Sequence, residues 1–92
     1  MLERKIKGIT YSSRFLRSLK KLSLGVQEKV RIRELIFQEN AFDSRLDTHK
    51  LHGKRAGEWS YSVDYEYRIA FTFADENRVL YLDIGTHDEL YR

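Results

Sequence analysis

The chain has 92 residues, of which 41% are hydrophobic, 13% aromatic and 34% charged. This composition excludes intrinsic disorder, and the length predicts one domain over residues 1–92. The absence of cysteine excludes a disulfide scaffold and a zinc site with cysteine ligands. The apolar runs are far shorter than the roughly 20 residues of a membrane-spanning helix, and the N-terminal segment lacks the apolar core of a signal peptide. We therefore expect a cytoplasmic protein.

The charged residues are unevenly distributed along the chain. The net charge is +3, but residues 1–55 contain 14 Lys and Arg against 6 Asp and Glu, whereas residues 56–92 contain 3 against 8. The first part therefore has a charge of +8 and the second a charge of −5. Either solvated helix faces or a basic surface for RNA, DNA or an acidic partner explains this distribution, and the composition leaves both open.

The first part of the chain predicts a strand followed by two helices. Residues 5–11 suit a short strand, and Ser12 or Ser13 is a suitable N-cap for the helix that follows. One face of that helix is apolar, with Phe15, Leu16, Leu19 and Leu22. The pattern breaks at residues 23–25 and resumes from Val26 to near Asn40, which predicts a helical hairpin.

Residues 41–57 have no clear period and contain two glycines, so we predict a long loop of the kind that often carries function. Apolar and polar residues then alternate over 59–65, 67–73 and 79–84, which predicts three half-buried strands joined by short turns. The last of these runs groups Leu80, Leu82 and Ile84.

The predicted element order is therefore β-α-α-β-β-β. Helices followed by a run of strands are typical of an α+β fold. Short connections favour an antiparallel sheet, with the N-terminal helical hairpin packed on one face. The opposite face of the sheet and the loop of residues 41–57 remain available for function.

The three histidines are candidates for acid–base chemistry, because imidazole titrates near neutral pH. His49 and His52 lie in the predicted loop, and His87 follows the last strand. The alternative is a zinc site formed by these histidines and a carboxylate. Since the chain has no cysteine and the His49–His52 pair is not on a predicted helix, the sequence favours acid–base chemistry without a metal. The sequence contains no dinucleotide, nucleoside-triphosphate or metalloprotease motif.

Arg68 is an isolated basic residue within the second of the three alternating runs. The alternation directs it away from Ile69 and Phe71, toward the face opposite the core. There its guanidinium would bind a phosphate group, or it would form an ion pair with Asp83 or Asp64 across the strands. The alternation alone leaves both open.

Basic and aromatic residues accompany these candidates. The candidates for contacts with a phosphodiester backbone are the basic residues of the loop, Lys50, His52, Lys54 and Arg55. The candidates for stacking on unpaired bases are Trp59, Tyr61 and Tyr91. For at least one of Trp59 and Tyr61, packing in the core is the simpler explanation.

Two segments of the chain resemble a known family. The segment LxxHKLHGKRAGEWSYSVDYEYRIAF, from residue 46, and the segment VLYLDIGTHDELY, from residue 79, resemble the RelE/ParE superfamily of bacterial and archaeal toxins. The likeness is greatest to the mRNA interferases of the RelE, YafQ and YoeB type. The element order, the basic helices and the chain length agree with this resemblance.

The resemblance implies the toxin of a type II toxin–antitoxin system. Such toxins enter the ribosomal A site and cut mRNA by general acid–base catalysis, without a metal or another cofactor. A cognate antitoxin encoded beside the toxin binds and blocks it, and the complex represses its own operon. The implied partners are therefore the antitoxin, the ribosome and mRNA, with DNA contacted only through the antitoxin complex and no contact with a membrane.

The resemblance also implies roles for individual residues. Arg68 matches a phosphate-binding arginine of the family and His87 a catalytic histidine. His49 falls where YafQ-like toxins have a histidine, which makes it the candidate general base. Tyr91 lies near a terminal aromatic residue that stacks on the substrate or assists proton transfer. Lys50, Lys54 and Arg55 resemble basic residues that precede the strands in RelE.

The sequence departs from the YafQ pattern at three places. Asp83 stands where those toxins have an arginine, Glu66–Tyr67 replaces an Asp-Trp pair, and Ser62 replaces a second histidine. These departures keep open a non-nucleolytic homologue, either a DNA gyrase inhibitor like ParE or a catalytically silent protein that binds the antitoxin. An unrelated basic α+β module that binds RNA is the third alternative.

Overall fold

The computed structural model describes residues 3–91. The helices are α1 (Ser13–Lys20), α2 (Leu24–Glu39) and α3 (His87–Leu90). The strands are β1 (Gly8–Tyr11), β2 (His49–Lys50), β3 (Trp59–Ser62), β4 (Tyr67–Phe73) and β5 (Arg78–Thr86). Single 3-10 turns occupy Ser44–Leu46 and Gly53–Arg55. In the described part of the chain, no helix has the length and apolar composition needed to cross a membrane.

The five strands form one sheet in the order β1-β5-β4-β3-β2. The α+β class, the helical hairpin and the antiparallel arrangement of the last three strands are confirmed. The prediction of an antiparallel sheet throughout was wrong, because β1 pairs with β5 in parallel. Short turns reveal which strands pair as hairpins, but β1 meets its partner across nearly the whole chain, and its own sequence carries no signal for that partner.

Serine caps set where the two long helices begin. The Ser12 side chain accepts a hydrogen bond from the Phe15 N–H at 3.0 Å and donates one to the Leu82 carbonyl oxygen at 2.9 Å. The predicted cap is therefore present, and the same side chain attaches α1 to β5. Ser23 caps α2 through the Val26 N–H. The break predicted at residues 23–25 is thus the start of α2.

The main core lies between the helical hairpin and one face of the sheet. Phe37 of α2 is fully buried and stacks on Tyr61, with the ring centroids 4.6 Å apart. The hydroxyl groups of Tyr61 and Tyr81 form a buried hydrogen bond of 2.8 Å, and burial raises the pKa of both tyrosines. Trp59 is half-buried and packs edge-on against Phe42. Both strand aromatics considered for base stacking are thus engaged in packing.

A bulge in β5 changes which of its residues face this core. Ala70 pairs with Asp83 and Phe71 with Tyr81, so Leu82 is an extra residue on β5. Val79 and Tyr81 before the bulge and Ile84 after it belong to the core cluster. The simple alternation that grouped Leu80, Leu82 and Ile84 therefore fails, because the bulge reverses the parity of the strand.

The opposite face of the sheet is partly covered. Leu51, Ala70 and Leu90 are buried although they do not belong to the main core. α3 contacts β4 and β5, and the turn at Gly53–Arg55 lies beside Tyr91. The predicted loop thus contains two short turns and the two-residue strand β2. Together with α3, these segments cover part of the sheet face opposite the helical hairpin, which the sequence analysis left available for function.

The turn between β3 and β4 depends on Asp64. Its carboxylate accepts hydrogen bonds from the N–H groups of Glu66 and Tyr67, both at 2.8 Å, and pairs with Lys29 of α2 at 3.2 Å. Burial opposes ionisation of the carboxyl, but these hydrogen bonds and Lys29 outweigh it, so its pKa lies below the ordinary value. The ionised carboxylate therefore stabilises the fold above the unfolded-state pKa, and this contribution is lost as the pH falls through the folded-state pKa.

We expect Asp64→Ala to lower the free energy of unfolding at pH 7 by about 1–2 kcal/mol, because the turn loses two charge-assisted hydrogen bonds. The difference from the unsubstituted protein should shrink below pH 4, where the carboxyl becomes protonated. Urea unfolding of both proteins at pH 7 and pH 3 measures this effect. Asp64→Asn, which keeps one acceptor oxygen, is the control and should lose less. An equal deficit of the alanine variant at both pH values would contradict the assignment.

Candidate active site

Four side chains, from strands β2, β3 and β4 and from the end of α3, are connected by hydrogen bonds on the face opposite the main core. Arg68 Nε donates to Ser60 Oγ at 3.0 Å, and Ser60 Oγ lies 2.9 Å from the Tyr91 hydroxyl. The Tyr91 hydroxyl lies 3.2 Å from His49 Nε2. The structure thus joins three of the sequence-predicted residues through one serine, which is itself fully buried.

The main-chain carbonyl of Asp47 completes the cluster. It accepts a hydrogen bond from Arg68 Nη2 at 2.8 Å and lies 2.9 Å from His49 Nδ1. Asp47 has φ 49° and ψ 47°, a left-handed conformation that aspartate adopts more readily than most residues. This local backbone conformation directs one carbonyl oxygen toward both the arginine and the histidine.

The hydrogen-bond pattern indicates where the protons lie. We assign His49 a proton on Nδ1, which donates to the Asp47 carbonyl, while Nε2 accepts from the Tyr91 hydroxyl. The Ser60 hydroxyl then donates to Tyr91 and accepts from Arg68. In the opposite direction, the Ser60 hydroxyl would have no acceptor among the described residues. In this assignment the lone pair of His49 Nε2 faces the Tyr91 hydroxyl, and Arg68 Nη2 lies 3.3 Å from Nδ1.

The strand register explains this convergence. His49 of β2 pairs with Ser60 of β3, and Ser60 pairs with Ala70 of β4, so their side chains lie on one face. Tyr91 reaches the same face from the end of α3. That helix begins with a capping box, in which Thr86 accepts from the Glu89 N–H and the Glu89 carboxylate accepts from the Thr86 N–H.

Arg68 is held in place more firmly than its position on a surface strand suggests. Its side chain is only 12% exposed, and Nη1 lies 3.5 Å from a carboxylate oxygen of Asp47. The predicted ion pair with Asp83 or Asp64 is not the one observed. Asp64 binds Lys29, while Asp83 accepts from Arg14 Nε at 3.1 Å and from Ser18 Oγ at 2.7 Å, both of α1.

His87 belongs to the same site but not to the hydrogen-bonded chain. Its ring lies beside that of Tyr91, with the centroids 4.2 Å apart, and its side chain is 73% exposed. His87 and Arg68 both line an open groove of about 660 Å³. The groove continues toward α2, where Lys29 and Arg33 line it, and toward the β3–β4 turn, where Tyr65 and Glu66 line it. Arg68 and His87 thus line the groove, while His49 and Tyr91 adjoin them through the hydrogen-bonded cluster and the ring contact of Tyr91 with His87.

The predicted backbone-binding residues divide into two groups. His52, Lys54 and Arg55 line a smaller cavity of about 210 Å³ together with Tyr91, although Arg55 also pairs with Glu58 at 2.6 Å. Lys50 lies apart from them. Its ammonium group is 5.5 Å from the centre of the Trp59 ring, a cation–π contact on the side of β2 away from His49.

Two residues of the cluster escaped the sequence analysis, Ser60 and Asp47. The alternation in β3 places Ser60 opposite the core. Its contact with His49 depends on β2, which has only two residues and is therefore too short to show a periodic pattern. Asp47 acts mainly through its main-chain carbonyl. Since every residue has this group, the type of residue at position 47 gave no signal. Within residues 3–91, no three His, Asp or Glu side chains are placed so that they could hold a metal ion.

The fold resembles those of solved bacterial toxins. The YoeB/ParE toxin from Agrobacterium tumefaciens superimposes with a TM-score of 0.72 at 15% sequence identity, over 88% of this chain and 99% of that chain. YafQ from E. coli strain BL21(DE3) gives a TM-score of 0.69 at 17% identity, over 91% and 97% of the two chains. Neither a protein-family model nor a curated protein sequence matches the chain.

A third similar structure is the toxin–antitoxin complex RelBE2 from Mycobacterium tuberculosis. It gives a TM-score of 0.68 at 18% identity, over 95% of this chain and 94% of that chain. At such identities these likenesses establish the fold. The RelE-like fold implied by the resemblance in sequence is therefore confirmed.

Proposed function

We propose that the chain is the toxin of a type II toxin–antitoxin system and a ribosome-dependent mRNA endoribonuclease. The observation that carries this proposal is the cluster of His49, Arg68, His87 and Tyr91, in which Arg68 and His87 line an open groove and Tyr91 contacts both histidines. The similar structures named above support it, because they are toxins or contain one. The reaction class is metal-independent RNA cleavage by general acid–base catalysis.

In this reaction the 2′-oxygen of the substrate attacks the adjacent phosphorus, and the bond between phosphorus and the 5′-oxygen breaks. His49 Nε2 accepts the proton of the 2′-hydroxyl, since its lone pair is exposed once Tyr91 yields its hydrogen bond. Protonated His87 donates a proton to the departing 5′-oxygen. The products are a 2′,3′-cyclic phosphate and a free 5′-hydroxyl, so one proton is taken up and one is returned.

Arg68 stabilises the charge that develops on the phosphoryl oxygens. Ser60 and the Asp47 carbonyl each occupy one of its N–H groups, and a phosphate oxygen would meet the remaining N–H groups in place of the Asp47 carboxylate, which lies 3.5 Å from Nη1. A guanidinium that is already oriented needs little reorganisation when the transition state forms. The Tyr91 hydroxyl forms hydrogen bonds with both Ser60 and His49, and its ring can stack on a nucleobase of the RNA.

Asp83 does not weigh against catalysis in this arrangement. Its carboxylate accepts from Arg14 and Ser18 of α1, and it lines cavities on that side of the molecule rather than the groove of Arg68 and His87. The departure that favoured a silent homologue thus has a structural role, which is to join β5 to α1.

The proposed partners follow from the same assignment. The RelBE2 structure is a complex with an antitoxin, and by analogy we assign a cognate antitoxin to this chain, with DNA contacted only through that complex. The ribosome and mRNA are the proposed target, in the cytoplasm. His52, Lys54 and Arg55 beside Tyr91 are the proposed contacts to the RNA backbone, with Lys50 at the margin.

The test is cleavage of mRNA on programmed ribosomes by the purified protein, with the cut mapped by primer extension. We expect cleavage in phase with the codons and a decrease of about 100-fold or more for His87→Ala, the usual scale for loss of a general acid. Glu76→Ala is the control, because Glu76 is an exposed residue between β4 and β5 that does not line the groove.

Two results would contradict the proposal at different levels. Undiminished cleavage by His87→Ala would contradict the assignment of the acid. Absence of cleavage by the folded protein would contradict the nuclease itself, and a DNA supercoiling assay with gyrase would then test the ParE-like alternative.

A further inference from the structure

The hydrogen-bonded chain on the face opposite the main core ends in two groups whose roles are fixed by their chemistry. At one end, the guanidinium of Arg68 can only donate, and its Nε lies 3.0 Å from Ser60 Oγ. At the other end, the main-chain carbonyl of Asp47 can only accept, and it lies 2.9 Å from His49 Nδ1. Between these ends stand the hydroxyl groups of Ser60 and Tyr91, each of which has one proton to donate.

Two arrangements of the protons fit these distances when the imidazole is neutral. In the first, Ser60 donates to Tyr91 at 2.9 Å, and Tyr91 donates to His49 Nε2 at 3.2 Å. The ring proton then lies on Nδ1 and is donated to the Asp47 carbonyl. In the second, the ring proton lies on Nε2 and is donated to Tyr91, which in turn donates to Ser60. The unprotonated Nδ1 then accepts from Arg68 Nη2 at 3.3 Å.

The Ser60 hydroxyl makes the second arrangement costly. Its oxygen would accept from both Arg68 and Tyr91, and its own proton would have no acceptor among the described residues. Since Ser60 is fully buried, this unpaired donor would cost the free energy of its desolvation. The second arrangement also brings the lone pair of Nδ1 to 2.9 Å from the Asp47 carbonyl oxygen, where the two repel each other. Removal of the Ser60 hydroxyl abolishes the first of these costs and leaves the second.

We propose that Ser60 is a positioning residue that selects the tautomer of His49 through the Tyr91 hydroxyl. The hydrogen bonds of the chain reach His49 from Ser60 by way of Tyr91. The serine keeps the proton of the neutral imidazole on Nδ1, and it thereby keeps the lone pair on Nε2, the atom proposed above as the base. The inference rests on the proposed function for its role in catalysis, whereas the tautomer is a property of the free protein.

The experiment is ¹⁵N NMR of the imidazole rings in the full labelled chain, without RNA. A protonated ring nitrogen and an unprotonated one differ widely in chemical shift, so the ratio of the two tautomers is read from the neutral ring at the alkaline end of a pH titration. The resonances of His49 are those missing from the His49→Gln variant. We expect the unsubstituted protein to carry the proton mainly on Nδ1. In Ser60→Ala, the ratio should change by at least about 5-fold in favour of Nε2.

Three further proteins separate this role from a structural one. Ser62→Ala is the matched control, because Ser62 is the next serine on the same face of β3 but donates to the Asp64 carbonyl. It should keep the ratio of the unsubstituted protein. Ser60→Thr, which keeps the hydroxyl, should keep it as well. When Ser60→Ala is added to Tyr91→Phe, the ratio should change no further, because the connection to His49 is already broken.

The outcomes distinguish this role from the proposed nuclease. An unchanged ratio in folded Ser60→Ala, or a proton mainly on Nε2 in the unsubstituted protein, would overturn the inference even if mRNA is cleaved on ribosomes. A change that persists in the Tyr91→Phe background would overturn the route through Tyr91. A ratio that follows the hydroxyl at position 60 supports the inference even if ribosomal cleavage fails, in which case the nuclease assignment falls alone.

Where cleavage is observed, its kinetics give a second readout. Ser60→Ala should lower the single-turnover rate by about 10-fold or more, because a smaller share of His49 has Nε2 free to accept a proton. The ribosome concentration that gives half of the maximal rate should not change, since buried Ser60 does not line the groove. A normal rate, or a loss confined to that concentration, would contradict the positioning role.

Discussion

Replacement of Arg68 by glutamine is expected to decrease mRNA cleavage on programmed ribosomes by about 100- to 1000-fold, the usual effect of removing one preorganised group that stabilises transition-state charge. Arg68→Lys is expected to recover only part of the activity. Its ammonium carries the charge, but one point charge cannot contact Ser60, the Asp47 carbonyl and a phosphate together in the fork geometry of a guanidinium. Single-turnover cleavage measures both variants.

The matched control for this series is Arg78→Gln. Arg78 is also a strand arginine with an aspartate partner, Asp75 at 3.0 Å, but it is exposed and lies outside the groove. The control should cleave as the unsubstituted protein does. Activity of Arg68→Gln within tenfold of normal, with an unchanged unfolding transition, would refute a role for Arg68 in charge stabilisation.

Phe37→Ala is expected to destabilise the protein by about 3–5 kcal/mol, the usual range for truncation of a buried phenylalanine. Phe37 is fully buried, and its ring contacts those of Tyr61, Phe71 and Tyr81, with centroid distances of 4.6, 4.9 and 6.0 Å. The loss is a large share of the roughly 5–14 kcal/mol expected for a domain of this length. Urea unfolding followed by far-ultraviolet circular dichroism measures it.

Leu35→Ala provides the comparison on the same helix. Its side chain is 55% exposed, so the same kind of truncation should change the free energy of unfolding by no more than about 0.5 kcal/mol. If the two variants lost similar stability, the effect would reflect helix formation rather than the aromatic core, and the assignment of Phe37 to the centre of that core would be wrong.

Local sequence signals predicted the elements that local interactions determine. The strand over Tyr67–Phe73 has the predicted bounds, because alternation and flanking turns both mark it. Ser12 caps α1 as predicted, since the cap depends only on the next three residues. The parallel pairing of β1 and the bulge at Leu82 depend on contacts between distant segments, and no local pattern encodes them.

The candidate site shows the same division. The alternation in β4 placed Arg68 on the correct face, and the scarcity of histidine drew attention to His49 and His87. Their convergence depends on strand β2 and helix α3, which were not among the predicted elements. The T-x-x-E capping motif from Thr86 to Glu89 was the available signal for α3. The catalytic roles themselves remain predictions for the measurements described above.

The position of β5 has a consequence for how the chain is made. Among the strands of residues 3–91, β5 is synthesised last, yet it lies between β1 and β4 and is the strand that pairs with β1. A nascent chain that ends before β5 has no partner for β1, and it also lacks α3 with His87 and Tyr91. The sheet therefore closes only after β5 has been synthesised, and a product truncated before β5 lacks both the closed sheet and the proposed acid.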